Sequence, residues 1–224
     1  MTADLFEDPP PDTRQTSIAP GAFLLHGFAR DEAAALLLAV ENIIAEAPLR
    51  HLVTPGGHIM SVGMSNCGPL GWVSDRSGYR YDTHDPLSGQ PWPAMPAAWL
   101  DLANRAALQA GYENFKPSAC LVNEYKPGNK LSLHQDKDEK DLRQPIVSVS
   151  LGLPAVFQFG SLRREDRPAR WRLVHGDVVV WGGPARLAFH GVLPLADGEH
   201  ALFGKRRINL TFRCAVLPQA TARP

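Results

Sequence analysis

CLVNEY (residues 120–125), IVSVSL (146–151), AVFQF (155–159), WRLV (171–174), DVVVW (177–181), RLAFH (186–190) and INLTFRC (208–214) decide the fold. Each run is short and rich in β-branched or aromatic side chains. Gly, Pro or charged turns separate most of them, which is the pattern of strands. Seven short strands at this spacing point to a sandwich or jelly roll. Toward the N-terminus, residues 22–25 suit one more short strand, and only two segments suit long helices. Residues 31–47 open on acids, are filled with Ala and Leu, and stop at Pro48; residues 96–110 open on proline and end at Gly111. The expected architecture is therefore β-rich α+β, with two N-terminal helices packed outside the strands.

The chain has 224 residues, of which 44% are hydrophobic, enough for one sizeable core and too apolar for wholesale disorder. Lys+Arg and Asp+Glu both number 23, which excludes coating nucleic acid by bulk charge but not a local basic patch. Cys67, Cys120 and Cys214 are too few and too scattered for a disulfide framework, and no CxxC pair exists. Cys67 and Cys120 read as small buried residues, and the cysteine usage fits a reducing compartment. The longest apolar run, residues 33–40, falls far short of the ~20 residues that span a bilayer. The acidic, Pro-rich start lacks the apolar stretch of a signal peptide. These features imply a cytoplasmic protein with no membrane partner, and nothing suggests more than a monomer.

The organisation expected is a flexible arm at 1–17, helices and loops at 18–118, a strand-built core at 119–216 forming one domain with them, and a tail at 217–224. Residues 50–95 are irregular yet carry Met60, Met64, Trp72, Tyr79, Tyr81 and Trp92. A turn-rich stretch studded with large side chains either packs on the core or holds something.

His134 and Asp136 stand two apart, so an extended chain points both the same way. His190 lies 54 residues beyond Asp136, on another run. Two histidines and a carboxylate can form the facial triad that holds non-haem Fe(II) with positions left open. His-x-Asp by itself is equally at home in a solvated turn. Residues 207–213 add weight, because Arg207, Asn209, Thr211 and Arg213 share one strand face opposite Ile208, Leu210 and Phe212. A surface strand has the same alternation. Alternatively, the two arginines clamp a dicarboxylate, for which the planar guanidinium fork is suited, with Asn123 and Tyr125 completing the pocket. Triad plus clamp implies 2-oxoglutarate as cosubstrate.

The stretches TPGGHIMSVGMSNCGPLGW (54–72), CLVNEYKPGNKLSLHQDKDE (120–139), PIVSVSLGLPAVFQFG (145–160), HGDVVVWGG (175–183) and RRINLTFR (206–213) closely resemble the bacterial AlkB family of DNA alkylation-repair dioxygenases. The resemblance spans roughly residues 20–214. It implies a double-stranded β-helix, or jelly roll, with a nucleotide-recognition lid at residues 50–95. It implies that His134, Asp136 and His190 bind Fe(II), and that Arg207, helped by Tyr125, holds the far carboxylate of 2-oxoglutarate. Arg213, Asn123 and Asn209 would hold its chelating end. Trp72 would stack on a flipped methylated base with His134 on the other side. Arg76 and Tyr79 would meet backbone phosphates, Asp138 the polar edge of the base, and Arg164 a site near the substrate. Ile208 departs from the aromatic common at that place, on the face expected to point to the core.

The activity implied is oxidative demethylation of N1-methyladenine and N3-methylcytosine in DNA, single strands preferred, with Fe(II), 2-oxoglutarate and O2. The products would be formaldehyde, succinate and CO2. The sequence leaves open an RNA or protein substrate for the same chemistry, and a non-catalytic cupin-like metal-binding module. The arginines at 163, 164, 167, 170 and 172 read either as a solvated hairpin tip or as a phosphate patch. His58 is a possible substrate contact, His175 reads as structural, and Trp181 as core.

Overall fold

The computed structural model describes residues 15–215. Its elements are β1 (Gln15–Ala19), β2 (Ala22–Leu25), α1 (Ala33–Glu46), β3 (Gly63–Cys67), β4 (Gly71–Asp75), β5 (Gly78–Asp82), α2 (Ala97–Gln109), β6 (Ala119–Tyr125), β7 (Leu131–His134), β8 (Ile146–Gly152), β9 (Ala155–Phe159), β10 (Ala169–Leu173), β11 (Val178–Trp181), β12 (His190–Val192) and β13 (Arg207–Arg213). They form a seven-stranded sheet in the order β1-β2-β11-β8-β13-β6-β3, a four-stranded sheet β10-β9-β12-β7, and the separate hairpin β4-β5. All pairings are antiparallel. Two such sheets face to face give the expected jelly roll. No helix among the described residues is long and apolar enough to cross a membrane.

The period-two alternation of each strand sorts side chains between two cores. One face of the large sheet sends Cys120, Val122, Val147, Val149, Val178, Val180, Ile208, Leu210 and Phe212 into a cluster with the helices. Helix α1 contributes a stripe of Ala33, Leu36, Val40 and Ile43, and α2 contributes Trp99, Leu102, Ala103, Ala106 and Ala107. Each fully buried Val or Leu contributes roughly 1.5–3 kcal/mol, so this cluster anchors the large sheet. The opposite face sends Leu121, Tyr125, Val179 and Trp181 toward Phe157, Phe159, Leu173 and Val192 of the small sheet. Helix α2 stops in a Schellman turn: Tyr112 N–H donates to the Ala107 carbonyl (2.8 Å) and Gly111 N–H to that of Leu108 (2.9 Å). Gly111 has φ +85°, which a side chain would strain.

Three expectations change. The boundary of the arm at residue 17 falls inside β1, because Gln15–Ser17 pair with β2; residues 1–14 and the tail at 217–224 lie outside the described residues, as does residue 216. The run RLAFH is a strand only from His190, since a tight 3-10 turn at Gly183–Ala185 leads into it. Residues 50–95 are not all lid, because the buried strand β3 pairs along β6 and closes one edge of the large sheet. The part that stands apart is the β4-β5 hairpin with the loops around it.

β7 and β12 pair closely, with His190 opposite His134 and Val192 opposite Leu131, so β7 carries one extra residue in between. A Cβ on Gly191 would sit 2.7 Å from the Leu131 carbonyl oxygen and 3.1 Å from Leu133 N. Both are backbone atoms and cannot swing aside. We expect Gly191→Ala to cost about 1–3 kcal/mol, as overpacking does. Thermal unfolding checks this: Tm should fall by several degrees, and an unchanged Tm would mean that the two strands approach less closely.

Candidate active site

The β7–β12 pairing assembles the site. His134 ends β7, Asp136 follows two residues on, and His190 begins β12 directly across from His134. One ligand atom from each of the three lies within 4.8 Å of the others. His134 Nε2 is 3.6 Å from Asp136 Oδ1, and His190 Nε2 is 3.7 Å from Oδ2. Each imidazole is held from behind: Nδ1 of His134 is 2.9 Å from the Ser132 carbonyl, and Nδ1 of His190 is 3.0 Å from the Ala188 carbonyl. A carbonyl only accepts, so Nδ1 carries the proton and donates, and the Nε2 lone pairs face Asp136.

Electrostatics favour the same state. Burial, with the charge of His134 second, pushes the His190 imidazole down to about 4, so it is neutral near pH 7. Burial would raise the Asp136 carboxyl, but Arg213, with His190, His134 and Arg186, outweighs it and holds the group below the usual carboxylate range. Arg213 donates to Asp136 Oδ2 from Nε (3.0 Å) and lies 2.8 Å from it through Nη2. Arg186 donates from Nη1 to the Asp136 backbone carbonyl (2.6 Å) and from Nη2 to Glu139 Oε2 (3.0 Å). Tyr81 in β5 donates to the other Glu139 oxygen. Two buried arginines thus face two buried carboxylates.

The polar face of β13 is buried, so the surface-strand reading is excluded. Arg207, Asn209, Thr211 and Arg213 are each at most 6% exposed. Arg207 lies opposite Tyr125 of β6 in register, with its guanidinium carbon 4.9 Å from the ring centre. It donates from Nη2 to Ser150 Oγ (3.0 Å), while Nε and Nη1 have no partner. Such orphaned donors are uncommon in native interiors and call for an acceptor. Asn123 Oδ1 is also unpartnered.

A cavity of about 700 Å³ joins these groups. It is lined by His134, Asp136, His190, Asn123, Tyr125, Arg207, Asn209, Arg213, Trp72, Tyr79, Asp138 and Arg164. Of the residues expected from sequence, Arg76 alone is absent from that lining; it is exposed in the turn between β4 and β5. Trp72 donates from Nε1 to Asp138 Oδ2 (2.8 Å) and stacks on Tyr79, with ring centres 5.6 Å apart and planes 13° apart. Tyr79 thus braces the indole with its ring while remaining exposed. Arg164 lies over the Phe189 ring at 5.7 Å.

Asn209 lines the cavity from within a web of sheet hydrogen bonds. Its amide donates to Ser148 Oγ (2.8 Å) and the Val149 carbonyl (2.9 Å), and its oxygen accepts from Thr211 (2.9 Å). The same oxygen accepts from Asn123 Nδ2 at 3.4 Å. Sequence reasoning missed Ser148, Ser150, Glu139, Arg186 and Tyr81. The serines had a legible signal, since they alternate with Val147, Val149 and Leu151. Arg186 had none once its segment was read as a strand. Trp181 is core as expected, yet it also lines the cavity, 4.9 Å from the His190 ring.

The donor set fits the groups that the sequence implied. Two imidazoles with their Nε2 atoms facing an ionised carboxylate suit a divalent first-row metal, and the orphaned Arg207 N–H groups suit a carboxylate.

Comparison with known proteins gives the same direction. Residues 21–213 match the 2OG-Fe(II) oxygenase superfamily. The chain is 56% identical over 212 residues to the alpha-ketoglutarate-dependent dioxygenase AlkB of Salmonella typhimurium, covering 95% of this chain and 97% of that one. It is 55% identical over 212 residues to the Escherichia coli protein of the same name, with the same coverage. The solved structure of OsALKBH1 superposes with a TM-score of 0.78 at 27% identity, covering 89% of this chain and 99% of that one.

A pH effect follows from His190. The unfolded imidazole takes a proton near 6.5, while the folded one resists until about 4. Stability of the metal-free protein should therefore fall as pH drops through that window, by on the order of 3 kcal/mol, and level off below it. His175, also pushed down to about 4 by burial and then by His200, adds to the slope. Denaturant unfolding across the window should show a flatter slope for His190→Gln; an unaltered slope would mean that His190 is protonated in the folded state.

Proposed function

The chain belongs to the AlkB family of the 2OG-Fe(II) oxygenase superfamily and is an Fe(II)- and 2-oxoglutarate-dependent dioxygenase, and from that premise we propose that it repairs N-alkylated nucleobases in DNA by oxidative demethylation. The carrying observation is the shared cavity, in which an aromatic and a carboxylate, Trp72 and Asp138, line the same space as the triad and Arg207.

On this reading His134, Asp136 and His190 hold the iron. Bound Fe(II), with 2-oxoglutarate and O2, supplies the oxidising chemistry that converts an N-methyl carbon to formaldehyde as succinate and CO2 form. Arg207 takes the far carboxylate of the cosubstrate through Nε and Nη1, with Tyr125 beneath it. Arg213 and Asn123 face the chelating end. Arg213 simultaneously keeps Asp136 ionised, so the metal carboxylate and the cosubstrate share one cation.

Trp72, braced by Tyr79, offers its other face to an extruded base, and base–aromatic stacking contributes about 1–3 kcal/mol. N1-methyladenine and N3-methylcytosine are cationic, so the indole face and the Asp138 carboxylate favour them over neutral bases. Single strands are the preferred form, because an unpaired base is extruded at lower cost. The hairpin β4-β5 and its flanking loops serve as the lid, and the chain acts as a monomer.

Formaldehyde release tests the reading directly, with methylated single-stranded DNA, methylated RNA and unmodified DNA compared with and without 2-oxoglutarate. Release from methylated DNA only when 2-oxoglutarate is present is the expected result. Release confined to RNA, or from neither, would overturn it. For the cosubstrate, Arg207→Ala should weaken 2-oxoglutarate binding by a few hundredfold or more, since breaking a buried pair from one side costs about 3–5 kcal/mol. Titration of the Mn(II)-loaded variant checks this, and a change under about threefold would remove Arg207 from the role.

A further inference from the structure

We propose that the β9–β10 hairpin carries a phosphate track that holds the nucleic-acid strand beyond the nucleotide in the pocket, with Arg167, Arg170 and Arg172 as its contacts. The inference rests on the nucleic-acid reading above and extends it to a second surface.

Apart from Arg30, the isolated exposed Arg76 and the buried Arg207, the arginines of the described residues divide in two. Arg50, Arg80, Arg105, Arg143, Arg163 and Arg206 each pair with a carboxylate near the surface. Arg186 and Arg213 do so in the interior. Arg164, Arg167, Arg170 and Arg172 are exposed and make no ion pair among the described residues. Four such cations fall within nine residues of one hairpin.

The acids that could neutralise them are already engaged. Glu165 accepts from Arg163 Nε (2.8 Å), and Asp166 accepts from Ser161 Oγ (2.6 Å) inside the tip. The tip thus folds upon itself and leaves the remaining charge outward.

Geometry gives the patch a direction. Arg164 lines the cavity where the base would enter. Arg167 follows at the tip. Arg170 and Arg172 then lie on β10, opposite Gln158 and Val156 of β9. Their face points outward, since Trp171 and Leu173, which alternate with them, turn toward the inner core. Two residues of strand advance about 6.6 Å, so the two guanidiniums form a regular row on the edge strand of the small sheet. In a chain of zero formal net charge, a row of unpaired arginines leading away from the pocket mouth fits a polyanion that continues past it. Arginine on an exposed strand also keeps this edge from pairing with other sheets, but that purpose needs no leading line from the cavity.

The test compares two ligands. One is a methylated trinucleotide that reaches only the pocket; the other is a methylated single-stranded oligonucleotide about five times longer. The double variant Arg170→Gln/Arg172→Gln is titrated with both over a range of salt concentrations. Both positions are exposed, and the circular dichroism spectrum and Tm serve as the folding check. Loss of two phosphate contacts should lower the slope of log affinity against log salt by about 1.4 for the long oligonucleotide, with severalfold weaker binding at low salt. Trinucleotide affinity and turnover should stay unchanged. An unaltered slope for the long ligand overturns the track, as does an equal loss with both ligands. If the unsubstituted protein binds neither ligand, the nucleic-acid reading itself fails and the track falls with it.

Discussion

Two guanidinium groups buried between two sheets constrain everything else in this molecule. A buried charge is costly unless it is paired and hydrogen-bonded. Arg213 meets that requirement inside the protein, on Asp136 and Glu139. Arg207 meets it only in part, with Ser150 on one nitrogen, the Tyr125 face beneath, and two N–H groups left over. A pocket built to satisfy one cation and not the other is completed by an anion from outside.

The compensation around Arg213 also orders the metal site. Asp136 is held from two sides, its carboxylate by Arg213 and its backbone carbonyl by Arg186. Glu139 balances both cations and accepts from Tyr81 of the β4-β5 hairpin. The hairpin that carries Trp72 is therefore tied to the metal carboxylate through buried polar groups. Such a network holds position well only when fully satisfied.

Much of this was legible in the sequence. The seven runs from residue 120 onward gave the sandwich because period-two patterning survives without knowledge of tertiary contacts. His134, Asp136 and His190 were legible because the strand spacing and ligand chemistry agree. The polar face of β13 was ambiguous, since alternation says that two faces differ and not which one meets water. What resolves it is burial of both faces, helices on one side and the small sheet on the other. Arg186 and Glu139 were invisible for another reason: their partners come from backbone and from segments 47 to 58 residues away, which no local pattern records. The AlkB resemblance supplied Trp72 and Asp138 but not the hydrogen bond between them, and it supplied Asn209 but not the bonds its amide makes inside the sheet.

The central claim is that the triad and the unpaired donors of Arg207 form one metal and cosubstrate site. A crystal structure of the protein with Mn(II) and 2-oxoglutarate, prepared without oxygen, tests it most directly. The account requires the metal on His134 Nε2, Asp136 and His190 Nε2, and a carboxylate within hydrogen-bond distance of Arg207 Nε or Nη1. A metal held by other side chains, or a cosubstrate that leaves both Arg207 donors unpartnered, would contradict it.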